Sequence, residues 1–356
     1  MKKRIILILP TAGGGGSEKV LINLANLLSI SFSVTLCFIN LKKTNYLHLI
    51  NKNIKIINLN KNNARRSILN LLKIINFYRF KYVVSSIFHI NIISILLKLF
   101  SFNKFKLIIR ETNKISQKKI NFTKLIFIFI FYRFADLIIS PSSIINDHLK
   151  NFLLKKKKIK LLNNPVIINK DIDKKKYPNR LKVFLNKSKY LITLTRLEKH
   201  KNIEFMLNCL VEVNKTKELK LVIVGDGPEK QKLNNKIKEL NLQKKVIIIK
   251  FLSNPYDFLK RSSLYFNSSY YEGQSNSVLE ALFFNIPVIS ADNGSHTIFI
   301  KRYSYGHVFK NFNISKVSKK ILELIIKRKP SINTRFYQDV SGVNIVNKFI
   351  NLINKI

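Results

Sequence analysis

Cysteine is almost absent from this chain. Cys37 and Cys209 are its two, far apart and each inside an apolar periodic segment. Such a pair builds neither a disulfide framework nor a thiolate metal site, so a reducing, cytoplasmic setting is expected. Acids are scarce as well: 19 Asp and Glu stand against 64 Lys and Arg, a formal net charge of +45. Lysine, asparagine, isoleucine and phenylalanine are inflated together, as in a compositionally skewed genome, so part of that excess carries no function. The missing acids, which would normally offset surplus lysine, point to an anionic surface as partner. No uninterrupted apolar run reaches the roughly 18 residues of a spanning helix. The opening MKKRIILILP imitates a secretory leader, but its apolar part is only 5–9. A glycine run follows in place of a small-residue cleavage site, so this stretch reads as a first core strand. The run LIFIFIFY at 125–132 reads as a buried element. Its alternative is an interfacial segment in which Lys118, Lys119, Lys124 and Arg133 meet lipid phosphates.

Two phosphate-binding signatures are also missing. Gly13-Gly14-Gly15-Gly16 follow the first predicted strand and precede a helix, but the third position of G-x-G-x-x-G falls on Glu18 or Lys19 and no G-K-[ST] follows. Ordinary dinucleotide binding and P-loop hydrolysis lose support. Asp171-Ile172-Asp173 has the spacing of a metal-binding pair, yet it lies in a linker and is discounted.

At 356 residues the chain exceeds one ordinary core, and a prior of about 100–200 residues per domain suggests two. Short apolar runs at 5–9, 34–39, 54–59, 82–86, 107–109 and 137–140 predict strands. Amphipathic stretches between them predict helices; in 18–29, Val20, Leu21, Leu24, Leu27 and Leu28 share one face. The alternation breaks at 161–180, where Asn163-Asn164-Pro165, the run DIDKKK and Tyr177-Pro178 read as a linker. It restarts with predicted strands at 190–195, 219–224, 246–249, 264–267 and 288–291, and 342–356 reads as a closing amphipathic helix. This predicts an α/β protein with two doubly wound parallel sheets: domains 1–168 and 169–335, then a closing segment 336–356. A ligand is expected in a cleft between facing strand ends.

The chemistry concentrates in YEGQSNSVLEA, 271–281, directly after a predicted strand. Glu272 and Glu280 lie eight positions apart, and on one continuous helix eight steps of about 100° would leave them about 80° out of register. A loop running into a helix suits them better. Glu272 then reaches out from the loop, the amides of Ser275, Asn276 and Ser277 present the open N–H groups of a helix start, and Glu280 sits in the first turn. The set fits a ligand with both phosphates and hydroxyls. In TRLEKHKN, after the first strand of the second half, Arg196 and Lys201 can aim at a diphosphate, the guanidinium bidentately and the ammonium as a point charge. A solvated basic face is the competing reading. Gly225, in VGDGP, belongs to a turn that shapes the floor of the site. Glycines at 13–16 let backbone N–H groups approach an anion, with a tight structural turn as the alternative.

These segments resemble the retaining glycosyltransferases of family 4, whose GT-B fold has two Rossmann-like doubly wound parallel-sheet domains facing across a cleft. The likeness runs through nearly the whole chain: GGGGSEKVLINLANLL, ADLIISPS, NNPV, TRLEKHKN, VGDGPEK, EGQSNSVLEAL and NIPVIS come in the family's order. Glu-x7-Glu at Glu272 and Glu280 is its most specific element. The resemblance implies transfer of a hexose or N-acetylhexosamine from a nucleotide sugar, UDP by family habit. The implied acceptor is lipid-linked or a polysaccharide of the bacterial cell surface, reached at the cytoplasmic membrane face. It further implies that Arg196 and Lys201 hold the diphosphate and stabilise the charge that grows on it. Glu272 would bind hydroxyls of the transferred sugar, helped by Gln274, Ser275, Asn276 and Ser277. Glu280 would accept from the ribose diol, Gly225 would line the donor side, and Gly15 and Gly16 would close over donor phosphates or acceptor. No metal and no cofactor are implied.

The chain departs from the family in one place. Many relatives carry a histidine just after the strand at 107–109, where this sequence has Arg110-Glu111-Thr112; either Arg110 or Glu111 takes over, or the imidazole is dispensable. His89 is the other candidate to face the acceptor, against the plainer reading of a satisfied core histidine. With no nucleophile in the expected place, the resemblance implies same-face attack steered by the leaving diphosphate. Two other readings compete. A nucleic-acid binder would rest on +45, but the charges are dispersed and no base-reading motif is present, so nucleic acid is not an expected partner. Another GT-B enzyme, of glycogen or sucrose synthase-like or epimerase-like kind, is the second.

Overall fold

The computed structural model describes residues 2–13, 15–112, 122–153, 158–168, 184, 189–327 and 334–356, and among these every strand pairing is parallel. The central strands are continuous runs of Ile, Leu and Val because parallel sheets are covered on both faces; in RIILIL only the first residue is exposed. By its internal contacts the chain divides into two units, Met1–Ile167 with Gln338–Ile356, and Ile168–Tyr337.

In the first unit β1 (Arg4–Leu9), β2 (Ser33–Phe38), β3 (Lys55–Asn58), β4 (Tyr82–Ser86), β5 (Lys106–Arg110), β6 (Leu137–Ser140) and β7 (Ile159–Leu161) form one sheet in the order β3-β2-β1-β4-β5-β6-β7. Helices α1 (Gly16–Leu28), α2 (Ile68–Tyr78), α3 (Phe88–Phe100), α4 (Phe122–Phe131) and α5 (Ser143–Leu153) lie between these strands in sequence. The strand order reverses between β1 and β4. Their carboxyl ends therefore diverge around a crevice, and this is where the glycine run and Ser86 stand.

The second unit carries β8 (Tyr190–Leu194), β9 (Lys220–Val224), β10 (Val246–Ile249), β11 (Leu264–Asn267), β12 (Val288–Ala291) and β13 (Gly306–Phe309), ordered β10-β9-β8-β11-β12-β13. Counted within the unit this is 3-2-1-4-5-6, the doubly wound dinucleotide-fold order, with its switch point between β8 and β11. Its helices are α6 (Ile203–Asn214), α7 (Lys230–Glu239), α8 (Tyr256–Arg261), α9 (Asn276–Phe283), α10 (His296–Arg302) and α11 (Ile314–Ile326). After α12 (Thr334–Val340) the closing helix α13 (Gly342–Asn354) returns to the first unit and packs on α1, burying Ile345, Val346, Phe349 and Ile353. The Ser341 hydroxyl accepts from the Asn344 amide at its start, a cap worth about 1 kcal/mol.

Two strands escape the periodicity of the sequence, β7 and β13, and both are sheet edges. An edge strand has one neighbour and partial cover, so Ile-Lys-Leu and Gly-His-Val-Phe need no apolar run. A second difference concerns 125–132. Only Ile128 and Tyr132 of that run are fully buried, while Ile126, Phe127, Phe129 and Ile130 of α4 are exposed, as is Phe134. The helix is apolar along its last two turns, but the core of the first unit covers only one side of it, through Ile128 and its packing on α3. The guanidinium of Arg133 lies 3.9 Å over the Phe129 ring. No helix among the described residues is long and apolar enough to cross a membrane.

Candidate active site

The loops that leave β8 and β11 emerge side by side at the second unit's switch point, and they carry Lys201 and Glu272. Lys201 ends a short 3-10 turn, Lys199–Lys201, and its Nζ lies 2.6 Å from Glu272 Oε1. The two side chains are 12% and 16% exposed. Ser269 Oγ donates to the same carboxylate oxygen at 3.0 Å. Burial pushes the Glu272 carboxyl up, but the Lys201 ammonium, its hydrogen bond and the Ser269 hydroxyl outweigh it. The group is held below its ordinary value.

Arg196 does not join Lys201 in one clamp. Its side chain is 62% exposed and its Nη1 pairs with Glu198 at 2.7 Å. Glu198 also holds His200 Nδ1 at 3.2 Å, and the His200 ring stacks on Tyr271 with centroids 4.8 Å apart. Burial first, then Lys201, lowers the proton affinity of His200, with Glu198 and Glu272 opposing. The two cations are therefore not aimed together: Lys201 is buried against Glu272, whereas Arg196 lies at the surface beside Glu198. Gly225 lies where a side chain would run into the Thr195 carbonyl, so it lets the ends of β8 and β9 approach.

Helix α9 begins at Asn276 after Ser275 as its N-cap, which puts Glu280 in the second turn rather than the first. Glu280 is buried and accepts from Tyr256 Oη at 3.3 Å. Ser277 Oγ meets Tyr265 Oη at 2.7 Å and Ser275 Oγ at 3.2 Å, and Gln274 is buried. The Ser275 amide is not open, as the sequence suggested, because it donates to Nδ1 of His296 at 3.4 Å. His296 and its turn escaped the sequence reading. The polar run Asp292-Asn293-Gly294-Ser295-His296 directly after an apolar strand was the available signal. Asn293 donates to the Ser269 carbonyl and accepts from the Glu272 amide at 3.0 Å through its own carbonyl.

In the first unit Gly15 caps α1 and Gly16 opens it, with the Glu18 carboxylate folded back over Gly15. Arg110, at the end of β5 and 6% exposed, reaches Ser17 Oγ at 3.3 Å and Ser86 Oγ at 3.4 Å with Nη1 and Asn164 Oδ1 with Nη2. Burial lowers its affinity for the proton, to about 10, against the opposing pull of Glu111. Glu111 points to other partners: Tyr132 Oη donates to it at 2.6 Å and the Thr112 amide at 3.0 Å. Arg110 is therefore the residue that stands at the glycine turn. His89 is exposed in the first turn of α3, just past Ser86, and is no core histidine. Among the described residues no group of three or more His, Cys, Asp or Glu could hold a metal ion; Asp171, Asp173, Lys118 and Lys119 lie outside them.

Comparison with known proteins agrees with this architecture. Residues 173–338 match the family model of the glycosyl transferases group 1. The chain is 30% identical over 310 residues to a Campylobacter jejuni protein and covers 82% of each. That protein is named N-acetylgalactosamine-N,N'-diacetylbacillosaminyl-diphospho-undecaprenol 4-alpha-N-acetylgalactosaminyltransferase. This chain is also 27% identical over 169 residues to the poly(ribitol-phosphate) alpha-N-acetylglucosaminyltransferase of Staphylococcus aureus, covering 45% of this chain and 34% of that one. The crystal structure of Anabaena HepE in complex with UDP and glucose matches with a TM-score of 0.83 and 15% identity, covering 99% of this chain and 100% of that one. The fold is GT-B.

Proposed function

We propose a reaction from one established premise, that this chain belongs to the glycosyl transferases group 1 family. It moves a hexose or N-acetylhexosamine, with retention, from a UDP-sugar to a lipid-linked or polysaccharide acceptor of the cell surface. The observation that carries this reading is the buried Lys201–Glu272 pair at the switch point. An ammonium has three donors and Glu272 takes one, so Lys201 can hold the sugar-side carboxylate and a diphosphate oxygen at once. Arg196, held at the surface by Glu198, is the mobile cation that meets the outer phosphate oxygens.

The acceptor hydroxyl attacks the anomeric carbon from the face that the diphosphate leaves. The new carbon–oxygen bond forms as the old one breaks, and the hydroxyl proton passes to the departing phosphate oxygen. Lys201 and Arg196 stabilise the charge that accumulates there. Glu272 holds sugar hydroxyls, Glu280 accepts from the ribose, and the turns at Gln274–Ser277 and Gly225 shape the donor side. In the first unit the glycine turn at Gly15 and Gly16, with Arg110 reaching Ser17 beside it, serves the acceptor, and His89 stands at the same strand ends. The enzyme works peripherally on the inner face of the cytoplasmic membrane, a reading supported by the exposed apolar side of α4 and the +45 charge.

Donor turnover by Glu272→Gln and Arg196→Ala tests the reaction. Each is expected to lose well over tenfold, since one charged transition-state contact is worth about 2.7–4 kcal/mol. Turnover unchanged in both would overturn it.

A further inference from the structure

We propose that His296 is the positioning residue of the donor loop: its neutral imidazole accepts a hydrogen bond from the Ser275 amide at Nδ1 and thereby fixes the loop that carries Glu272. This rests on the reading of Glu272 as the sugar-side carboxylate.

The ring has no contact with solvent. Nε2 lies 3.1 Å from Ser290 Oγ and 3.1 Å from Asn267 Nδ2, and Nδ1 lies 3.4 Å from the Ser275 nitrogen. An amide N–H can only donate, so Nδ1 must accept and the ring proton sits on Nε2. That proton goes to Ser290 Oγ, which also accepts from Asn267 Nδ2 at 3.1 Å and donates to the Ala291 carbonyl at 3.0 Å. Asn267 Oδ1 accepts from the Ser269 backbone amide at 3.4 Å, which orients the Asn267 amide. The opposite tautomer would set an Nδ1–H against the Ser275 N–H, two buried donors facing each other, and an imidazolium would do the same. In the assigned tautomer Asn267 Nδ2, also a donor, stands 3.1 Å from Nε2 with its proton turned to Ser290 Oγ, so the Nε2–H assignment rests on the Ser275 contact and is read directly by the labelling experiment below.

Four links join the turn at Asn293–His296 to the loop at Glu272–Ser275. The Glu272 amide donates to the Asn293 carbonyl at 3.0 Å, the Ser295 amide and hydroxyl donate to the Gly273 carbonyl at 3.0 and 3.2 Å, and Ser275 donates to His296. Two run through replaceable side chains, and of these the His296 link is the one that lacks a parallel backbone bond. Gly294 makes the approach possible: a Cβ there would stand 2.9 Å from His296 Nδ1 and Cε1 and 3.1 Å from Glu272 Cβ. The charged groups facing the ring are Glu272 and Asp292, which favour its protonation, and Lys201, which opposes it; burial dominates and lowers its value from 6.5 to about 4.

Asparagine places its amide oxygen near the Nδ1 position and can accept from Ser275, whereas glutamine reaches the Nε2 position and leaves Ser275 without an acceptor. The donor is whichever of UDP-glucose, UDP-galactose, UDP-N-acetylglucosamine and UDP-N-acetylgalactosamine the wild-type protein turns over fastest. His296→Gln is expected to raise the donor KM about tenfold, as the loss of one buried hydrogen bond allows, and His296→Asn to stay near wild type. The acceptor KM should not move. Independently, 15N-labelled histidine in the wild-type protein should show one imidazole as the Nε2–H tautomer that does not titrate between pH 5 and 8. A wild-type donor KM in His296→Gln, or an Nδ1–H tautomer, would overturn the proposal. Glu272→Gln separates the two levels: if it too is without effect the donor site itself is misplaced, and if it alone is impaired only the positioning role fails.

Discussion

Replacing Lys201 by Met removes the ammonium and leaves the Glu272 carboxylate almost enclosed, with the Ser269 hydroxyl on the oxygen that Lys201 held. Breaking a buried pair from one side costs about 3–5 kcal/mol, because the remaining charge has no counter-ion. For a unit of this size that lowers its melting temperature on the order of 10 °C. The cost depends on pH with a definite sign. In the wild type Glu272 is held below its ordinary 4.5, so it adds stability that is present above that value and lost as pH falls through the folded one. In Lys201→Met burial is opposed only by His296 and the Ser269 hydroxyl, the carboxyl is expected to rise above 4.5, and the variant then loses stability as pH rises through its folded value. The gap between the two proteins should be small at pH 4 and full at pH 7.5. Adding Glu272→Gln should recover most of the loss, to within about 1 kcal/mol, since no buried charge is left. Scanning calorimetry resolves the transitions of the two units and reads all three proteins. A double variant as unstable as Lys201→Met, or a cost independent of pH, would refute the reasoning.

His296 gives a second acid signature. Its folded value near 4 lies below the unfolded 6.5, so the unfolded chain binds the extra proton between them and stability falls as pH drops through that window, by about 2 kcal/mol at pH 5. His296→Gln should flatten this part of the profile in calorimetry, and an unchanged slope would remove the assigned cause. On α4, Ile126→Asp with Ile130→Asp should weaken binding to anionic vesicles by about tenfold per residue while wild-type binding to neutral vesicles stays weak. Equal affinity of the wild type for both vesicle types would rule out the electrostatic attachment.

The sequence by itself determined which segments become strands and helices, because burial on both faces demands apolar runs and amphipathic periods that each segment carries internally. It also placed Glu272, Lys201 and Gly225 just after strands, where a doubly wound sheet puts its chemistry. Strands β7 and β13 stayed hidden, since Ile-Lys-Leu and Gly-His-Val-Phe are too short and too polar to show an apolar run. Tertiary structure alone decided the partners. Lys201 meets Glu272 across 71 residues only because β8 and β11 are neighbours in the sheet order. Arg110 joins Ser17, Ser86 and Asn164 because four chain segments end at the same crevice. His296 reaches Ser275 because β12 lies beside β11 and Gly294 carries no side chain. Local pattern is fixed by neighbours along the chain, whereas which charge is buried against which is fixed by strand order, and no single segment encodes that order.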